Sequence, residues 1–126
     1  MPTVRDMIRK KGSEIVSILP DATIYDALTI MAKHNTGALM VVIGNKVEGI
    51  LTERDCVRKL DIAGRSSKTT KVNEIMTTKV IYVEAGQELE ECMALMIDKN
   101  IRHLPVFEGK DLLGVISIRD VVKEVV

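Results

Sequence analysis

Aromatic side chains are nearly absent: the 126 residues include two Tyr, one Phe and no Trp. Tyr25, Tyr82 and Phe107 are too few to form a base-stacking platform for single-stranded nucleic acid. An excess of one charge is missing too, since 18 Lys and Arg face 18 Asp and Glu. The balance holds in each half, with 9 basic and 8 acidic residues in 1–63 and 9 and 10 in 64–126. Without a basic face there is no footprint for a phosphate backbone, so nucleic acid is not an expected partner. The longest uninterrupted apolar runs, residues 38–43 and 92–97, are six residues each. A bilayer span needs roughly 20, so no membrane association is expected. Residues 1–6 lack the apolar core of a signal peptide. The expectation is a soluble, cytoplasmic chain.

Cysteine is scarce as well. Cys56 and Cys92 cannot make a disulfide framework, and neither stands at a zinc-ligand spacing from His34 or His103. Both thiols read as small core residues in a reducing compartment, and no metal is expected. There is no Gly-x-Ser-x-Gly, no Walker loop and no Gly-x-Gly-x-x-Gly. With two His and no Cys–His neighbourhood, nucleophilic catalysis has little to work with, and an enzyme is not expected. The cluster Glu88, Glu90, Glu91 reads as a solvated helix face.

What the chain does have is a repeat. Shifted by 65, residues 14–59 lie over 79–124 without a gap, and nine of the 46 pairs are identical. They are Met31/Met96, Asn35/Asn100, Leu39/Leu104, Val41/Val106, Gly44/Gly109, Gly49/Gly114, Arg54/Arg119, Asp55/Asp120 and Val57/Val122. Ahead of this block, residues 4–8 match 72–76 at a shift of 68, so the first copy carries three extra residues around positions 10–13. The chain is a tandem duplication, with copies at 1–63 and 72–126 and a polar linker at 64–71.

Each copy predicts the order β-α-β-β-α. A short strand (15–18 or 80–83) precedes a helix carrying Ile24, Leu28 and Met31 on one stripe, or Leu89, Met93, Met96 and Ile97 in the second copy. Thr23 is a suitable cap for the first of these helices. A hairpin follows, 39–43 with 47–51 and 104–107 with 112–116, turning at Gly44-Asn45 and Gly109-Lys110. A last helix covers 53–60 or 118–125. A unit of about 60 residues buries little surface alone. The predicted fold is therefore α+β, two such repeats packed sheet-to-sheet about a pseudo-two-fold axis.

One polar feature recurs, the strand-to-helix junction Gly49-Ile-Leu-Thr-Glu-Arg-Asp55 and its copy Gly114-Val-Ile-Ser-Ile-Arg-Asp120. A hydroxyl followed three residues later by a carboxylate is a capping box, in which Thr52 or Ser117 and Asp55 or Asp120 satisfy free N–H groups. The same groups suit a ligand: helix N-termini attract phosphate, and an acid there can hold a ribose diol. Arg54 and Arg119 recur in both copies, although a cap needs no arginine. Arg102-His103, just before a buried strand, adds a guanidinium that forks onto phosphate oxygens and a donor strengthened as pH falls. The first copy has Gly37-Ala38 there.

The Val-x-(Asp/Glu)-(Ile/Met)-(Ile/Met) leaders, Pro-Asp-Ala-Thr-Ile-x-Asp-Ala over 20–27, Arg-His-Leu-Pro-Val over 102–106 and the paired (Thr/Ser)-x-Arg-Asp endings resemble, in this order, a tandem pair of CBS domains (a Bateman module). The resemblance covers essentially the whole chain. It implies a regulatory fold, here standing alone, that binds AMP, ADP, ATP or S-adenosylmethionine in clefts between the repeats and signals to a partner protein the sequence does not name. It also implies that Thr52 with Asp55 and Ser117 with Asp120 hold ribose, Arg102 and His103 meet phosphates, and Val16 and Ile81 flank the base. A homodimer is implied as the assembly. Gly37-Ala38, Met40 in place of the usual Pro and the extra residues near Lys10 depart from the family pattern, so the two clefts are expected to differ. The competing expectation is a structural or protein-interaction domain whose caps are only caps and whose Met31, Met93 and Met96 meet a protein.

Overall fold

The 65-residue shift is also the shift at which the backbone repeats. In a computed structural model, which describes residues 2–12 and 14–125, helices α1 (Val4–Lys11), α2 (Ile24–His34), α3 (Glu53–Cys56), α4 (Val72–Ile75), α5 (Leu89–Lys99) and α6 (Ile118–Val125) alternate with strands. The strands are β1 (Ser17–Ile18), β2 (Ala38–Ile43), β3 (Lys46–Thr52), β4 (Val83–Glu84), β5 (His103–Glu108) and β6 (Asp111–Ser117). They form two three-stranded sheets, β1-β2-β3 and β4-β5-β6, each with a parallel first pair and an antiparallel second pair. Both hairpins shift register at matching places, Val41/Val42 and Val106/Phe107. The fold is the mixed α and β arrangement read from the sequence.

Local chemistry explains the shared boundaries. The Thr23 hydroxyl accepts the Asp26 N–H at 3.1 Å and opens α2. Glu88 opens α5, its N–H donating to the Glu91 carboxylate at 3.2 Å. That pairing gives two of the acidic cluster a capping role. Both helices end on an asparagine in the left-handed region, Asn35 at φ 51° and Asn100 at φ 54°, a conformation Asn tolerates better than most L-residues. The hairpins turn on Gly44 (φ 59°) and Gly109 (φ 62°). The first strands differ from the expected 15–18 and 80–83: β1 keeps only Ser17–Ile18, and β4 lies at Val83–Glu84, sharing only Val83 with the expected run. The last helix of copy one is α-helical only to Cys56 and widens into a π turn over Val57–Asp61, Ile62 N–H donating to the Val57 carbonyl. That of copy two covers 118–125 as expected.

The leaders behave in a way sequence alone does not show. Backbone contacts divide the chain into one unit of Val16–Val80 and a second of Met1–Ile15 with Ile81–Val126. The first copy's leader, α1, thus docks on the second copy: Val4 N–H donates to the Gln87 carbonyl (2.8 Å) and Arg5 N–H to that of Ala85 (2.9 Å). The second copy's leader, α4, docks on the first: Val72 N–H donates to the Ala22 carbonyl (2.8 Å) and Asn73 N–H to that of Pro20 (2.9 Å). The stretch 64–71, read as a linker, belongs to the Val16–Val80 unit. There Ser67 and Thr70 carbonyls accept the first N–H groups of α2, and Thr70 is buried.

Each unit has its own core. In Val16–Val80, Ile24, Met31, Leu39, Leu51, Val72 and Ile75 are buried together. In the other unit, Val4, Met7, Ile8, Leu89, Met96, Leu104 and Val121 do the same. Fully burying each large side chain contributes about 1.5–3 kcal/mol. Met31 is a core residue of the first of these units and Met96 of the second, where Met93 packs against the core from the edge, so the methionine stripes face inward. Cys56 and Cys92 are free and buried, and burial with neighbouring carboxylates pushes both thiols up to about 11. They are unreactive packing residues at neutral pH.

Candidate functional site

Both repeated junctions are capping boxes, but they are finished differently. In the second copy, β6 delivers Ser117 to the start of α6. The Ser117 N–H donates to Asp120 Oδ2 at 2.9 Å, and the Asp120 N–H returns to Ser117 Oγ at 3.1 Å. The β5–β6 register sets His103 opposite Ser117, and the Ile118 N–H donates to the Arg102 carbonyl at 2.8 Å. Arg102-His103 is thereby stitched to the helix start. Lys11, the last residue of α1, reaches the same place: its ammonium lies 2.6 Å from Asp120 Oδ2 and donates to the Val115 carbonyl at 2.8 Å. Among the described residues Asp120 Oδ1 accepts no hydrogen bond, while its side chain keeps 25% of its exposure.

The electrostatics follow from that arrangement. Burial works against the Asp120 carboxylate, but hydrogen bonds from Lys11 and the Ser117 N–H outweigh it, and the acid sits below its ordinary range. His103 is pushed down by burial first and then by Lys11 and Arg102, with Asp120 opposing. At neutral pH it is therefore an uncharged imidazole. Arg102 and Arg119 are exposed.

In the first copy, β3 delivers Thr52 to α3. The Thr52 N–H donates to Asp55 Oδ2 at 3.0 Å, the Thr52 hydroxyl also reaches Oδ2 at 3.1 Å, and the Asp55 N–H returns to Thr52 Oγ1 at 3.1 Å. The Thr77 hydroxyl lies 3.1 and 3.3 Å from the two carboxylate oxygens, and Lys59 Nζ is 3.1 Å from Oδ1. The Asp55 side chain keeps only 10% of its exposure, and both oxygens are occupied. The Glu53 N–H donates to the Gly37 carbonyl at 3.0 Å, copying the Ile118–Arg102 link without the basic side chain. Arg54 is half-buried beside this junction, and the Val16 carbonyl accepts the Met40 N–H at 3.1 Å.

The sequence-predicted residues thus fall in two sets. Arg102, His103, Ser117, Arg119 and Asp120 gather in the unit that also holds Ile81, exposed just before β4. Val16, Thr52, Arg54 and Asp55 gather in the other. Three participants were missed. Lys59 was legible as the i, i+4 partner of Asp55. Lys11 lies in the three-residue excess of copy one, which marks an insertion but not its partner. Thr77 follows α4 and had no signal of its own. A hollow beside β1 and α2, lined by Ile18, Leu19, Ala22 and Ile30 among others, shares no residue with either junction. Among the described residues no group of His, Cys, Asp and Glu could hold a metal ion, and no helix is long and apolar enough to cross a membrane.

Comparison with known proteins agrees with this geometry. A family model of the CBS domain matches residues 4–62 and again 72–126. The CBS domain-containing protein CBSX3, mitochondrial, of Arabidopsis thaliana is 43% identical over 133 residues, which are 98% of this chain and 65% of that protein. This chain therefore spans about two-thirds of that relative. The CBS-domain containing protein ATU1752 from Agrobacterium tumefaciens superposes with a TM-score of 0.94 at 34% identity, covering 99% of this chain and 100% of that one. The CBS domain pair of protein MJ0100, in complex with 5-methylthioadenosine and S-adenosyl-L-methionine, shares the fold at TM-score 0.85 and 23% identity, covering 99% and 96%.

Proposed function

This chain belongs to the CBS-domain family, and from that membership we propose that it is a regulatory, non-catalytic module that binds an adenosyl compound and reports its occupancy to a partner protein. One observation carries the reading. At the second junction Asp120 has one carboxylate oxygen without a hydrogen bond among the described residues, it keeps part of its exposure, and it stands beside Ser117, His103 and the Arg102 backbone. In this reading Asp120 and Ser117 meet the ribose, Arg102, His103 and Arg119 meet the phosphates, and Ile81 lies against the base. That MJ0100 holds two adenosyl ligands supports the ligand class. AMP, ADP, ATP and S-adenosylmethionine are the candidates. Val16, Thr52, Arg54 and Asp55 form the corresponding second candidate. It is the less available one, because Thr77 and Lys59 already occupy the Asp55 carboxylate.

That closure favours a second reading at the first junction, a cap that only holds the fold. The buried free thiols suit a reducing compartment such as the cytoplasm, and a homodimer is the proposed assembly. Occupancy can move such a dimer between arrangements only by the ligand's differential affinity for them.

Thermal unfolding with AMP, ADP, ATP, S-adenosylmethionine and a short DNA duplex, each separately, separates the readings. A ligand at about 100 times its dissociation constant adds about 2.7 kcal/mol, a rise in Tm of about 10 °C for a chain of this length. Asp120→Ala should remove the shift while lowering intrinsic stability by about 1 kcal/mol, the worth of a cap. Binding that survives both Asp120→Ala and Asp55→Ala would refute the assignment, and a shift with no adenosyl compound would leave a scaffold.

A further inference from the structure

We propose that Lys11 is a specificity residue of the Asp120 site, selecting ligands whose sugar carries an anionic group over uncharged nucleosides. This inference rests on the ligand reading above and adds to it a residue and a charge requirement. Position 59 shows why Lys11 is needed. In the first copy Asp55 is neutralised from its own helical segment by Lys59 at 3.1 Å. The matching position of the second copy is Glu124, which only adds negative charge next to Asp120.

The cations come instead from the leader. α1 is eight residues long where α4 is four, and the additional turn, residues 8–11, brings Lys10 to Glu124 at 2.9 Å and Lys11 to Asp120 at 2.6 Å. Lys11 is not merely a counter-ion. Of the three N–H bonds on its ammonium, one goes to Asp120 Oδ2 and one to the Val115 carbonyl, which leaves one without a partner among the described residues. The Lys11 side chain keeps 40% of its exposure, so the contact is open to an incoming molecule. Lys11 fixes Oδ2, Oδ1 accepts no hydrogen bond among the described residues and can take a hydroxyl, and the remaining N–H offers a charge-assisted bond to a phosphoryl oxygen. Burial pushes His103 toward its neutral form, so the cations on these segments among the described residues are Lys11, Arg102 and Arg119. Of these, Lys11 alone is anchored to the acid. A sulfonium in place of phosphate meets a like charge here and is disfavoured.

The test compares affinities of AMP, adenosine and ribose 5-phosphate for the whole chain by calorimetry, or by NMR titration where binding is weak. Lys11→Met keeps the length of the side chain and removes its charge, and a partly exposed ion pair is not needed for folding. Lys11→Met should lower the AMP-to-adenosine affinity ratio about tenfold and weaken ribose 5-phosphate binding in step, while Lys11→Arg retains the preference. Lys10→Met, altered at the neighbouring pair with Glu124, should behave as the parent chain. An AMP-to-adenosine ratio that stays the same in Lys11→Met overturns the proposal with the adenosyl reading intact. If AMP fails to bind but ribose 5-phosphate binds in a Lys11-dependent way, the adenosyl reading falls and the role of Lys11 stands. Binding of none of the three by the parent chain overturns both.

Discussion

A single imidazole shows how burial sets the pH response at the residue scale. His103 is less easily protonated in the folded chain than its ordinary value of 6.5, first because it is buried and then because Lys11 and Arg102 stand near it. Below pH 6.5 the unfolded chain therefore binds more protons than the folded one, and stability rises with pH through that window. His103 exacts no penalty at pH 8, and a growing one as pH falls from 6.5 through its folded value. Asp120 works in a lower range: its carboxyl is held below 3.8, so its contribution is lost only under more acid conditions. Urea unfolding between pH 8 and pH 5 should show the parent chain losing stability, and His103→Gln should flatten that loss. An unchanged slope would mean the ring is solvated.

Glycines at equivalent positions make a sharper comparison at the scale of the element. Gly49 and Gly114 lie at the same place in β3 and β6, and each is covered by the leader that packs on its unit. A Cβ on Gly49 would stand 2.6 Å from the Thr77 carbonyl oxygen and 3.1 Å from Met76 Sδ. That carbonyl accepts the Ile50 N–H at 3.0 Å, so it cannot retreat without breaking a bridge. On Gly114 the Cβ would meet the Ile8 side chain, Cδ1 at 3.0 Å and Cγ2 at 3.8 Å, and the closer atom is the end of a side chain that can rotate. Gly49→Ala should cost about 1–3 kcal/mol by overpacking, and Gly114→Ala clearly less, as measured by the urea midpoint at constant m.

These same elements mark what could be read in advance. The identities Asn35/Asn100, Gly44/Gly109 and Asp55/Asp120, with the hydroxyl pair Thr52/Ser117, encode helix ends, turns and caps, which are local chemistry and so legible. What closes over Gly49 is not local. Nothing in residues 72–77 says which copy they will cover, because the apolar leader pattern Val-x-(Asp/Glu)-(Ile/Met)-(Ile/Met) fits either one. Lys11 was illegible for the same reason: its partner is 109 residues away. Lys59 was not, being four residues from Asp55.

Exchange of leaders has a consequence for the whole molecule. Ile8, in the first copy's leader, is 5% exposed and packs with Leu89, Leu104 and Val121 of the second copy. Ile75, in the second copy's leader, is 2% exposed and packs with Ile24, Leu39 and Leu51 of the first. Truncating a buried Ile to Ala costs about 2–5 kcal/mol, a large part of a domain's stability. If cores follow space and not sequence, Ile8→Ala should speed native-state hydrogen exchange first in β5 and β6, and Ile75→Ala first in β2 and β3. Loss of protection in β2 and β3 from Ile8→Ala, with β5 and β6 intact, would show each leader bound to its own copy. The crossed pattern would also explain why Lys11 can serve Asp120: the chain's first helix is, in space, a part of the second repeat.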